Sequence, residues 1–180
     1  MTVALDLFEE ADSEALKAQL ARLVEEKNFR HDCGMVGLPC LYSALNLCGL
    51  EEYAFRILTA EGYPGYREWL DGGATTLWEM WGSGGSHNHH MYSSFMSWMM
   101  KTIVGIEALA PAYEKTAIRP VFFAGLDRAE GSIVTPAGGR IAVSWKREAD
   151  GVRLSVSVPA GVRAVYGGSE YGEGEYDFTV

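Results

Sequence analysis

Apolar and polar positions change period near the middle of the chain. Up to about Tyr113 the apolar residues recur at helical spacing; after about Arg119 they alternate as strands do. The first helix starts at Asp12 or Ser13, either of which caps an N-terminus. It places Leu16, Leu20, Leu23 and Val24 on one stripe, with Glu14, Lys17, Arg22 and Glu25 off it. The spacing predicts a second helix over 38–48, with Pro39 in its first turn and Gly49 as a left-handed stop. Its apolar residues lie nearly all round, so it should be buried. A third helix, over 51–61, pairs Tyr53, Ile57 and Leu58 and stops at Gly62, ahead of Pro64 and Gly65. A turn-rich connection leads to a short helix capped by Thr75 or Thr76, which carries Leu77, Trp78, Glu79, Met80 and Trp81 and is cut off by Gly82, Gly84 and Gly85. Met91, Phe95, Trp98, Met99, Ile103 and Ile106 then share one face of a helix of about twenty residues that ends before Pro111.

Past that proline the period is two. Ile141, Val143 and Trp145 face one way and, beyond the turn at Asp150-Gly151, so do Val152, Leu154, Val156 and Val158. With further strands expected over 121–124, 132–135 and 177–180, the second part reads as a small antiparallel sandwich. The run GGSEYGEGEYD reads as a loop or an exposed edge. The whole is mainly α then β, about five helices followed by strands, with the division placed at 1–115 and 116–180.

Composition adds limits. Hydrophobic residues make up 48% and charged residues 22%, the balance of a folded globular chain rather than a disordered one. The net charge of -9 comes with no basic stripe, which excludes nucleic acid and an anionic membrane surface as natural partners. Three cysteines, Cys33, Cys40 and Cys48, form neither a CxxC pair nor an even set. They read as small buried apolar residues in a reducing, cytoplasmic compartment. No apolar run reaches the roughly 18 residues of a membrane span.

Candidate chemistry gathers in DGGATTLWEMWGSGGSHNHH, where two tryptophans, one glutamate and three histidines surround a glycine-serine loop. A zinc site needs ligands that converge on one centre, and His87, His89 and His90 stand too close in sequence beside a helix start to do so. No metal or cofactor is expected. Glu79 allows two readings. Thr76-Leu77-Trp78-Glu79 fits a capping box, in which the carboxylate only satisfies the helix start. Alternatively, Glu79 faces a cleft between Trp78 and Trp81, an aromatic platform beside a carboxylate of the kind that suits a sugar ring.

At these residues the sequence resembles a known family. GATTLWEMW, then SHNHHMYSSFMSWMMKTIVGI, and the strand-rich tail with GGRIAVSWKRE look like the C-terminal part of bacterial α-L-rhamnosidases, glycoside hydrolase family 78; HDCGMVGLPCLYSALNLCGLEEYAFRILTAEGYPGY is similar to the stretch that precedes that motif. The resemblance implies the end of a six-hairpin (α/α)₆ catalytic barrel followed by a β-sandwich, and hydrolysis of terminal α-L-rhamnosides with inversion. Glu79 matches the general base that activates water, and His89 matches a histidine that contacts the rhamnose; the aromatic-platform reading adds Trp78 and Trp81 as substrate-binding candidates. Inversion also needs a general acid about 6.5–9.5 Å from the base, which the family takes from an earlier hairpin, upstream of anything matched here.

About five helices fall short of the twelve in six hairpins, and the loop MWGSGGSH is shorter than in the family. The implied entity is a rhamnosidase-like piece, inactive without the half that carries the general acid and completed by a partner polypeptide or by self-association. The competing readings are a non-catalytic carbohydrate-binding or interaction module, and another inverting glycosidase built on the same barrel.

Overall fold

The structure is a computed structural model that describes residues 1–7, 9 and 12–180. Helix α1 spans Ser13–Glu26, with Asp12 at its N-cap position. Of the expected stripe Val24 is buried, Leu16 and Leu20 are half-buried and Leu23 is exposed. The Tyr53 hydroxyl donates to Glu25 at the end of α1, and Phe29 lies between the Tyr53 ring, at 5.1 Å, and the Arg56 guanidinium, at 3.3 Å. Helix α2 runs Leu38–Leu47 with Pro39 in its first turn, and Gly49 follows with φ +64. It buries Leu38, Tyr42, Ala44 and Leu45, but Leu47 is 69% exposed, so the expected all-round burial does not occur. The cysteines, expected to be buried, are free and half-buried. Helix α3, Glu51–Thr59, buries Ala54 and Ile57 and ends two residues before the expected stop.

Two helical expectations are corrected. The connection after α3 contains α4, Tyr66–Asp71, whose Tyr66 and Trp69 are buried. The helix expected after Thr76 is absent, because residues 76–81 make bonds across a loop instead of along a helix. Helix α5 is only Ser94–Trp98, and π-helical turns continue it through Met99–Val104. Gly105, with φ +86, ends it well before Pro111. A Cβ there would lie 2.2 Å from the Pro120 nitrogen, so only glycine fits this crossing.

The chain divides into two compact units, Met1–Met96 and Ser97–Val180. The second holds two four-stranded sheets. Strands β1 (Ile106–Ala108), β2 (Lys115–Ile118), β6 (Arg163–Tyr166) and β7 (Ser169–Tyr171) form one, in the order β1-β2-β6-β7. Strands β3 (Arg128–Val134), β4 (Arg140–Glu148), β5 (Gly151–Val158) and β8 (Gly174–Thr179) form the other, in chain order. All pairs are antiparallel except β2 with β6, which is parallel and departs from the all-antiparallel expectation. Ile141, Val143 and Trp145 on β4 and Val152, Leu154, Val156 and Val158 on β5 are buried, as their alternation requires. The Trp145 indole N–H donates to the Ile103 carbonyl at 2.7 Å, which fixes the π-helical turns on this core. The run GGSEYGEGEYD supplies β7 and the start of β8, the edge strands of the two sheets.

Residues 121–124 are not a strand. The Arg147 guanidinium takes the carbonyls of Phe122, Phe123 and Leu126 at 2.8–3.1 Å, so those acceptors leave no ladder to form.

Candidate active site

Residues 76–89 form a closed loop in the first unit. The Glu79 N–H donates to the Ser86 carbonyl at 2.8 Å and the His89 N–H donates to the Leu77 carbonyl at 2.9 Å. The Thr76 hydroxyl donates to the His87 carbonyl. The capping box is therefore absent. Thr76 bonds eleven residues ahead, and the Glu79 carboxylate accepts through Oε2 from the Ser86 N–H at 2.8 Å. Glu79 is half-buried, with its backbone and one carboxylate oxygen both fixed by Ser86.

The tryptophans anchor this loop. The Trp69 indole N–H on α4 donates to the carbonyls of Met80 and Trp81 at 3.1 and 2.9 Å. Trp81 is half-buried, with its ring centroid 4.3–5.2 Å from those of Tyr92, His31, Trp69 and Tyr66. Trp78, also half-buried, has the His87 ring stacked on it at 4.2 Å and 11°. His87 Nε2–H donates to the Ser83 carbonyl at 3.1 Å. His89 accepts the Met91 N–H on Nδ1 at 3.2 Å, which puts the proton of the neutral ring on Nε2, free to donate outward. The three histidines do not converge, and among the described residues no group of three His, Cys, Asp or Glu could hold a metal ion.

Behind the loop lies a polar relay that the pattern of the chain does not reveal. Tyr66 gives its only hydroxyl proton to the Tyr92 carbonyl at 2.7 Å. Toward Tyr42, with which it is hydrogen-bonded, Tyr66 must therefore accept, so Tyr42 donates to it. Tyr42 in turn accepts from His31 Nε2 at 3.3 Å. His31 thus carries its proton on Nε2, and its buried Nδ1 has no partner. Burial disfavours the charged imidazolium and pushes His31 down to about 4, and it raises both tyrosines. Only a lone histidine in HDCGMVG stands in the sequence, with no periodicity to mark it as buried.

Above pH 6.5 His31 is neutral in both states and stability is full; below it the unfolded chain binds a proton that the folded chain refuses down to about 4. Unfolding free energy should therefore fall by roughly 3 kcal/mol as pH drops from about 6.5 to about 4. In His31→Gln this part of the slope should vanish. Urea midpoints across this window, with equal slopes for both proteins, would contradict the buried neutral assignment.

A concavity of about 480 Å³ on the outer face of the second sheet is lined by Glu130, Ser132, Ser144, Ser155, Ser157 and Glu175. Its hydroxyls are largely engaged: Ser155 donates to Asp177, Ser157 donates to Glu175 and Ser132 accepts from Arg140. Its lining holds no aromatic side chain.

Comparison with known proteins decides the family. The model of the bacterial alpha-L-rhamnosidase 6 hairpin glycosidase domain matches residues 1–103. The chain belongs to this glycosidase family. The bacterial alpha-L-rhamnosidase C-terminal domain follows over residues 105–166. An alpha-L-rhamnosidase of Alteromonas sp. (strain LOR) is 30% identical over 177 residues, which cover 92% of the chain and 19% of the relative. One from Formosa agariphila is 31% identical over 175 residues, 91% of the chain and again 19% of the relative. The crystal structure of Streptomyces avermitilis alpha-L-rhamnosidase complexed with L-rhamnose superposes with a TM-score of 0.91 at 27% identity, over 99% of this chain and 21% of that one. The chain thus spans about a fifth of the length of the curated relatives it matches. Its helices are part of a six-hairpin barrel and its strands the domain that follows.

Proposed function

We propose that the chain supplies one wall of an inverting α-L-rhamnosidase site, with Glu79 as the general base. The supporting observation is the placement of Glu79: it is half-buried on the loop that carries Trp78 and Trp81, within the stretch matched by the glycosidase model, with Oε2 on the Ser86 N–H and no hydrogen bond on Oε1 among the described residues. Oε1 takes a proton from water as the water oxygen bonds to the anomeric carbon on the face opposite the leaving group. The glycosidic bond breaks with its electrons moving to the leaving oxygen, which a general acid on another hairpin protonates. His89 Nε2–H donates to a sugar hydroxyl. Trp78 and Trp81 form the apolar side of the wall, the sugar ring lying on Trp78 in the place His87 now holds. The L-rhamnose bound to the Streptomyces avermitilis enzyme motivates the choice of sugar.

Leu23, Met35, Val36, Leu47 and Leu70 are exposed on this unit. In this reading further hairpins of the barrel cover them. A cytoplasmic location belongs to the same reading and rests on the three free cysteines. Among the described residues no helix is long and apolar enough to cross a membrane.

The test is turnover of an aryl α-L-rhamnoside by the chain alone and by the chain assembled with the remaining hairpins. No turnover alone and turnover on assembly are expected. Robust turnover by the chain alone that disappears in Glu79→Gln would overturn the need for a partner while keeping the base. Sugar binding without hydrolysis in either form would favour a binding module.

A further inference from the structure

We infer that Gly85 is the positioning residue of the base, an inference that rests on the reading of Glu79 as that base. Three glycines stand in the loop that joins the two legs of the site, and they are not equivalent. A Cβ on Gly82 meets nothing within 4 Å. One on Gly84 meets only the flexible Met80 sulfur, at 3.4 Å. Gly85 alone has a positive φ, +72, and a Cβ there would lie 2.9 Å from Glu79 Oε2 and 3.3 Å from both Glu79 Cβ and Cδ. The Glu79 side chain therefore lies along the bare Cα of Gly85.

The next residue completes the device. The left-handed turn at Gly85 delivers the Ser86 N–H to Oε2 and the Ser86 carbonyl to the Glu79 N–H, both at 2.8 Å. A ring of two hydrogen bonds then holds both ends of Glu79, so the carboxylate has a single orientation. Oε2 is occupied by the backbone, and Oε1 is the oxygen left to receive the proton of the attacking water. A methyl group at position 85 pushes Oε2 off its donor and rotates Oε1 away from the water. The shortness of this loop makes the requirement strict, since only residues 80–85 separate Glu79 from Ser86 and they leave little slack.

The experiment follows the Ser86 amide of the ¹⁵N-labelled chain by NMR as pH is lowered through the ionisation of Glu79. In the native chain the amide proton shifts with that ionisation, and in Glu79→Gln it does not. Gly85→Ala is expected to abolish the response, whereas Gly82→Ala and Gly84→Ala keep it. Gly85→Asn, which accepts a left-handed backbone yet carries a Cβ, separates strain from contact and is expected to fold and still lose the response. In the assembled enzyme Gly85→Ala should lower kcat roughly 100-fold with little change in KM, the cost of displacing a catalytic group by about 1 Å. A Ser86 response retained in Gly85→Asn, or lost equally in Gly82→Ala, overturns the inference. Full turnover by Glu79→Gln alongside a lost response in Gly85→Ala would instead show that Gly85 positions a carboxylate that is not the base.

Discussion

Glu79→Gln is expected to lower turnover of an aryl α-L-rhamnoside by roughly 100- to 10,000-fold in the assembled enzyme, the range a positioned general base contributes. That is a barrier increase of about 3–5 kcal/mol. Glutamine keeps the shape of the side chain and an oxygen able to accept the Ser86 N–H at the position of Oε2, so the loop survives. What it loses is a group able to take a proton from water. An aryl leaving group departs with little help from the general acid, so the loss reports on the base. KM should change little, because in the proposed role Glu79 holds the water rather than the sugar. A loss smaller than about tenfold, measured by steady-state kinetics with the fold checked by the Ser86 and Trp69 resonances, would remove Glu79 from the mechanism.

Gly105→Ala is expected to destabilise the second unit by roughly 3–5 kcal/mol, at the upper end of single-substitution effects. Two costs combine. An L-residue at φ +86 pays about 1–2 kcal/mol for the left-handed backbone. The added Cβ also falls 2.2, 2.6 and 2.7 Å from the Pro120 nitrogen, the Pro120 Cα and the Arg119 carbonyl carbon. These are backbone atoms and cannot rotate aside. The Arg119 N–H donates to the Gly105 carbonyl and the Val121 N–H to the Thr102 carbonyl, both at 2.8 Å, so moving the crossing segment breaks two hydrogen bonds. Gly138→Ala is the matched control, with φ +89 and nothing within 4 Å of its Cβ. Urea unfolding should show the two variants differing by at least about 2 kcal/mol. Equal losses would mean that the close approach carries no energy.

Which elements the chain announces depends on how local their causes are. Helices α1, α2 and α3 are legible because each carries a local signal within its own segment: the apolar stripe after Asp12 in α1, Pro39 and Gly49 at the ends of α2, and the Tyr53, Ile57 and Leu58 spacing in α3. Strands β4 and β5 are legible because one face is buried, so Ile141 to Trp145 and Val152 to Val158 alternate. Helix α4 escapes notice because six residues between Gly65 and Gly72 are too few to show a period. The false helix at 76–81 has the opposite origin. Thr76 and Glu79 stand at capping-box spacing, yet their side chains bond to His87 and Ser86 across a loop that no local pattern encodes. The helix expected to run on toward Pro111 stops at Gly105 because of a backbone that crosses there at Pro120, fifteen positions away. The strand expected at 121–124 is lost to Arg147, whose guanidinium takes its carbonyls.

The candidate site divides in the same way. Glu79 and His89 enter the candidate site through their resemblance to a motif, and Trp78 and Trp81 through their place beside a carboxylate; neither signal conveys geometry. The Ser86 donor, the Trp69 anchor on two carbonyls and the His31–Tyr42–Tyr66 relay arise from tertiary contacts. Each residue in the relay looks ordinary alone, and only the sequence of donors and acceptors from Tyr92 back to His31 shows that the relay has one direction.

Azide tests most directly whether Glu79 activates the water that attacks from the face opposite the leaving group. It is a nucleophile that needs no base, and it fits where a shortened side chain leaves room. In the assembled enzyme carrying Glu79→Ala, added azide should restore turnover of the aryl α-L-rhamnoside and yield the β-configured rhamnosyl azide, identified by NMR. No response to azide, or an azide product of retained α configuration, would contradict Glu79 as the base.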